Sequence, residues 1–146
     1  MPHSYCKVWI HAVWATKERA ALIQQSVEKD IYDFMRKQYI ACGCPVRIIN
    51  GMPDHIHSVF LANASKPLND VFHQVKGSTS HWINDKGMIK EKFTWQSGFA
   101  AFSVSESALE KVYLYVLNQK QHHQKKTFQE EYKELIQLHN MELKNF

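Results

Sequence analysis

Pro45-Val-Arg-Ile-Ile-Asn-Gly-Met-Pro-Asp-His-Ile-His-Ser-Val-Phe-Leu61 reads as two strands joined by a turn. Beyond the turn, Ile56, Ser58 and Phe60 fall on one face and His55, His57, Val59 and Leu61 on the other, the two-residue period of a strand. Pro45 to Asn50 reads as the strand before it. Asn50-Gly51 is the strongest short hairpin signal in the stretch, and Met52-Pro53-Asp54 lengthens the turn. Alternate residues on one face lie about 7 Å apart, so His55 and His57 can share one metal ion through bonds of roughly 2 Å. Alone the pair is a weak signal. Nine histidines in 146 residues give a His-x-His by chance about half the time.

Working outward, Tyr5 to Trp14 alternates in the same period, with Cys6, Val8 and Ile10 opposite Trp9, His11 and Val13. Val27, Ile31, Phe34 and Met35 recur at helical spacing within Ile23–Ala41, and Gly43 is the stop signal. Pro67 opens a second helix through Leu68, Val71, Phe72 and Val75 to Ile83. Trp95 to Val104 reads as a fourth strand broken at Gly98. A third helix starts at Ser103 or Ser105, where Ser103-x-x-Glu106 has the form of a capping box. It runs to about Lys125, and a shorter polar helix follows from Thr127. The order strand–helix–strand–strand–helix–strand predicts an α+β, ferredoxin-like (RRM-like) antiparallel sheet of four or five strands. Ile23–Ala41 and Leu68–Ile83 pack on one face, and a C-terminal helix is appended. No repeat or long linker divides residues 1–146, so a single domain is expected.

The composition, 45% apolar and 22% charged, is that of an ordinary globular chain. A net charge of +4, with fifteen lysines and three arginines, permits nucleic-acid binding without requiring it. No apolar run approaches the ~18 residues of a membrane span, and Val8 to Ala15 is too short and too alternating for a leader. Cys6, Cys42 and Cys44 are odd in number, and Cys42-Gly43-Cys44 lacks the spacer of zinc and redox motifs. Reduced thiols and a cytoplasmic protein are expected.

In the third helix, Leu109, Tyr113, Val116 and Leu117 form the core-facing stripe. Tyr115 falls roughly 120° from the middle of that stripe and Gln119 about 80° away on the same side. One turn apart, they can present a phenol and an amide oxygen to a common point. His122 lies one turn beyond Gln119 and His123 two turns beyond Tyr115.

Candidate nucleic-acid contacts are less sharply defined. Lys76, with Gly77, Ser78, Thr79 and Ser80 beside it, offers an ammonium, hydroxyls and amides to phosphates; a solvated helix face accounts for it equally well. Lys86, Lys90 and Lys92 flank Trp95, a mixture of charge and ring suited to single strands or simply a lysine-rich loop beside a buried ring. Lys120, Lys125 and Lys126 also suit the end of a helix dipole.

Gly51-Met-Pro-Asp-His-Ile-His57, Lys76-Gly-Ser-Thr-Ser80, Trp95-Gln-Ser-Gly98, Phe102-Ser-Val-Ser105 and Tyr115-Val-Leu-Asn-Gln119 together resemble the words of small insertion-sequence transposases of the single-tyrosine HUH, TnpA type. The likeness runs from about Tyr5 to His123 in order and spacing; the tail after Thr127 matches no motif. It implies that His55, His57 and the Gln119 side chain hold one divalent ion, Mg2+ or Mn2+, and that Tyr115 is the nucleophile. It further implies cleavage and rejoining of single-stranded DNA at hairpin-forming element ends, and a homodimer in which sites can be shared between subunits. Ser58 departs from the pattern, where an apolar residue is common. The chemistry is coherent: a divalent ion offsets phosphate charge, and a tyrosine with pKa about 10 needs help to lose its proton. A non-catalytic single-stranded DNA or RNA binder on the same sheet leaves Tyr115 and Gln119 unexplained. A hydrolytic metalloenzyme using His55, His57 and His122 or His123 would not need Tyr115.

Overall fold

The hairpin forms, but its turn lies later than Asn50-Gly51. In the computed structural model, which describes residues 4–122 and 128–139, β2 (Val46–Met52) and β3 (His55–Leu61) pair antiparallel around Pro53-Asp54, with Met52 opposite His55. The turn is held from outside: the Thr16 amide donates to the Asp54 carbonyl and the Ile23 amide to that of Pro53, both at 2.9 Å. Asn50 and Gly51 are therefore strand residues. Each has a reason to be there. The Asn50 amide donates to the carbonyls of Val116 and Leu117 at 3.0 and 3.1 Å, and Gly51 lets the partner strand approach. A Cβ on Gly51 would drive into the His55 carbonyl oxygen and sit 2.9 Å from the Ile56 Cα. Gly51→Ala is expected to cost about 3 kcal/mol, because backbone on both strands must move; the shift in urea midpoint measures it.

The remaining strands are β1 (Trp9–Ala15) and β4 (Ala100–Val104), and the sheet order is β2-β3-β1-β4, antiparallel throughout. With α1 (Gln25–Ala41) between β1 and β2, and α2 (Leu68–Lys86) between β3 and β4, this is the ferredoxin-like arrangement. The fourth strand is shorter than expected. Trp95 makes an isolated bridge to Thr16, and the chain leaves the sheet through Gly98, at φ +89°, before β4 begins.

Alternation along β1 and β3 gives the sheet two unlike faces. Ile10, Ala12, Trp14, Ile56 and Phe60 pack against Ile31, Met35 and Tyr39 of α1 and Val71, Phe72, Val75 and Ile83 of α2. Ser58 points into this core, where its hydroxyl and that of Tyr39 hydrogen-bond at 2.7 Å. The other face carries His11, Val13, His55, His57 and Val59, and receives the C-terminal helices.

The third helix departs from expectation in three ways. The Ser103–Glu106 capping box does not form: Ser103 lies in β4, and the Glu106 carboxylate accepts bonds from Lys7 Nζ at 3.1 Å and Trp9 Nε1 at 2.9 Å. The helix is divided at Asn118 into α3 (Leu109–Leu117) and the single turn α4 (Gln119–His122). Its buried stripe is Val112, Val116 and Gln119, whereas Leu117 is 47% exposed and Tyr113 is half-buried under the Arg47 guanidinium. A final helix, α5 (Phe128–Leu138), matches the expected short polar helix in position. His123, Lys125 and Lys126 lie outside the described residues.

Candidate active site

β3 sets the two histidines on the face opposite α1 and α2, each 1% exposed. Their neighbours across the strands are Val13 and Asn50 beside His57, and Ala15 and Met52 beside His55. Asn50 also ties down the last carbonyls of α3. That contact delivers Gln119, just beyond the end of α3, to the histidines: its Oε1 stands 3.3 Å from His55 Nε2.

The tail supplies a further group. Glu131 of α5 is 2% exposed, with Oε2 3.2 Å from His55 Nε2 and Oε1 3.1 Å from His57 Nε2. The Tyr115 hydroxyl donates to the same Oε1 at 2.9 Å. Each histidine is also held from behind. Asp54 Oδ1 lies 2.7 Å from His55 Nδ1, and His11 Nε2 lies 2.9 Å from His57 Nδ1. Both Nε2 atoms consequently face one point with Glu131, Gln119 and Tyr115.

The donors fit a divalent ion. One atom each from His55, His57 and Glu131 lie within 4.8 Å of one another, and Gln119 Oε1 adds a neutral oxygen. Two imidazoles with carboxylate and amide oxygens make a nitrogen- and oxygen-donor set for a divalent metal, with no thiolate in it. Charge follows the geometry. Burial opposes ionisation of His55, but Asp54 and Glu131 outweigh it and hold the imidazole up at about 9. Asp54 is held below the usual carboxylate range: burial alone would raise it, and the bond to His55 and the charges of His55 and Arg19 prevail. Tyr115 is pushed above 10 by burial and then by the Glu131 charge, with a bond to Gln119 opposing. Its phenol is harder to ionise than a free tyrosine's while no cation is beside it.

The resemblance anticipated Tyr115, His55, His57 and Gln119, and the structure brings all four together in one chain. The groups meet within a single chain, where the resemblance also allowed for sites shared between subunits. The Lys76 ammonium donates to the carbonyls of Gln96 and Gly98 at 3.0 and 2.8 Å, beside an open cleft of about 380 Å³. Trp95 is 8% exposed with its indole N–H on the Lys76 carbonyl, so its ring is core rather than a free stacking platform. Ser78 is half-buried in α2, and Lys90 and Lys92 are exposed in the segment after it. None of these five appears among the hydrogen-bond partners of His55 or His57 in the described residues.

Glu131, His11 and His139 were not singled out from the sequence, although signals exist. Glu131 shares a stripe with Leu135 and Leu138, a carboxylate on the apolar side of a helix. His11 is a polar residue at an inward position of β1.

The model of the family described as "Transposase IS200 like" matches residues 4–119. The chain belongs to this family. A curated relative, the ISDra2 transposase TnpA of Deinococcus radiodurans, is 24% identical over 114 residues, which is 75% of this chain and 81% of the relative. Two solved structures share the fold. One is a candidate transposase from Deinococcus radiodurans, with TM-score 0.66 and 22% identity over 82% of this chain and 95% of that one. The other is a REP-associated tyrosine transposase bound to a REP hairpin, with TM-score 0.61 and 13% identity over 84% and 73%. Family membership makes this a transposase-type protein. The matched region ends at Gln119, so Glu131 and His139 stand beyond what the IS200-like model describes. No helix among the described residues is long and apolar enough to cross a membrane.

Proposed function

We propose that the protein is a metal-assisted transposase that cleaves and rejoins single-stranded DNA at hairpin-forming element ends through a phosphotyrosine. The observation that carries this reading is the convergence of the Tyr115 hydroxyl with His55, His57, Gln119 and Glu131 in a member of the IS200-like family. His55 and His57 Nε2, Glu131 Oε2 and Gln119 Oε1 would hold one Mg2+ or Mn2+. Such an ion supplies charge neutralisation at the scissile phosphate and eases ionisation of a nearby phenol.

The protein's own groups do the rest. Glu131 Oε1 already accepts the Tyr115 hydrogen bond and is the atom placed to take the proton. The phenolate oxygen attacks phosphorus, a Tyr115 O–P bond forms, the bond from phosphorus to the 3′ oxygen breaks, and the proton ends on that oxygen. The DNA 5′ end stays on Tyr115. Attack by a free 3′-hydroxyl reverses the step and joins strands without ATP, since the ester energy is kept.

The implied homodimer would bring together two sites, each built from one chain, and equilibrium sedimentation measures it. Lys76, Ser78, Lys90, Lys92 and the surroundings of Trp95 remain candidate DNA contacts on the α2 side, and a cytoplasmic location accords with action on DNA. A non-catalytic nucleic-acid binder would have no use for a buried carboxylate against a tyrosine. Incubation with end-labelled hairpin DNA and magnesium, followed by denaturing electrophoresis, should give a protein–DNA adduct that chelator prevents; binding without an adduct would refute the reading. Glu131→Gln, which keeps the shape and removes the charge, is expected to slow adduct formation by about 100-fold. An unchanged rate would remove Glu131 from the chemistry.

A further inference from the structure

Behind the metal-facing atoms, His57 leads into two further histidines, His11 and His139, that the proposed chemistry does not use. His11, fully buried in β1, has its Nε2 2.9 Å from His57 Nδ1 and its Nδ1 2.8 Å from His139 Nε2. His139 follows α5 directly and lies flat on Phe102, with ring centroids 4.3 Å apart and planes 5° apart. The His11 and His57 ring centroids are 5.2 Å apart and their planes 29° apart, as two rings joined edge to edge require. A packing residue would not need a nitrogen facing another nitrogen at both edges. The outer nitrogen of a metal-binding imidazole is what fixes its orientation and tautomer.

We infer that His11 is a positioning residue that fixes the tautomer of His57 for metal binding and couples it to the docking of α5 through His139. The inference rests on the metal reading given above. When His57 Nε2 offers its lone pair to a cation, the ring hydrogen sits on Nδ1 and is donated to His11 Nε2. That nitrogen then carries no hydrogen, so the His11 hydrogen is on Nδ1 and is donated to His139 Nε2. The hydrogen bonds run one way, from metal ligand to the end of α5. The same helix carries Glu131 to the site, so docking of α5 delivers a ligand and completes the chain. Asp54 serves His55 in the corresponding position, which leaves His11 as the equivalent support for His57.

The test is Mn2+ binding to full-length protein without DNA, read from the electron paramagnetic resonance of free manganese. His11→Phe keeps a ring and removes both nitrogens. His11→Gln restores an acceptor near the place of Nε2. His11→Phe should weaken Mn2+ binding at least tenfold, with His11→Gln within about threefold of wild type. Ring 15N spectra of the magnesium-loaded wild type should show His57 protonated at Nδ1. Equal affinity of wild type and His11→Phe, with binding lost in His55→Ala, would overturn this inference alone. Equally weak binding by folded His11→Gln and His11→Phe would also overturn it. Wild-type protein that binds no manganese would overturn the metal reading and the inference together.

Discussion

Tyr115→Phe is expected to abolish the covalent adduct completely while the protein still binds hairpin DNA and metal. The substitution removes one oxygen, the one that donates to Glu131 at 2.9 Å. Tyr113 is the control. Two residues earlier on α3, it lies roughly 200° around the helix and packs beneath Arg47, 4.2 Å from guanidinium carbon to ring centre. Tyr113→Phe should retain the adduct and cost at most about 1 kcal/mol of stability. A hydrolytic metalloenzyme would have no need of the Tyr115 hydroxyl, so turnover surviving Tyr115→Phe would favour that alternative.

His55→Ala or His57→Ala is expected to remove metal-dependent cleavage below detection. Each deletes one of two inward-facing nitrogens that stand 3.2 and 3.1 Å from the Glu131 carboxylate. The rings are 1% exposed, so truncation also leaves a cavity and costs about 2 kcal/mol of stability. The loss of cleavage must therefore be judged on protein shown to be folded by its circular dichroism and still able to bind hairpin DNA. Cleavage at the wild-type rate by either folded variant would remove the histidines from the chemistry.

Strand periodicity made the fold legible because the two faces of β1 and β3 differ in composition, and the same alternation placed both histidines on one face. Local turn chemistry was less decisive. Asn50-Gly51 has the composition of a hairpin turn, yet Asn50 is committed to the end of α3 and Gly51 to close strand contact. The turn moved to Pro53-Asp54, where Thr16 and Ile23 anchor it. The helix through Tyr115 turns a different stripe inward from the one its apolar residues predict, because tertiary contact, rather than hydropathy, selects the inward side. Gln119 is buried there by its place beside His55, while the more apolar Leu117 faces outward. Glu131 and His139 were hidden for a different reason. Their roles depend on α5 returning across the sheet, and that long-range placement leaves only a carboxylate among leucines as its trace.

The most direct measurement is the position of the DNA on the protein. Wild-type protein is allowed to react with single-stranded hairpin DNA and magnesium, the adduct is trimmed with nuclease and protease, and tandem mass spectrometry locates the modified residue. A nucleotide joined through its 5′ phosphate to Tyr115 is the predicted result. Cleaved DNA with no modified residue, or a nucleotide on Tyr113 instead, would contradict it.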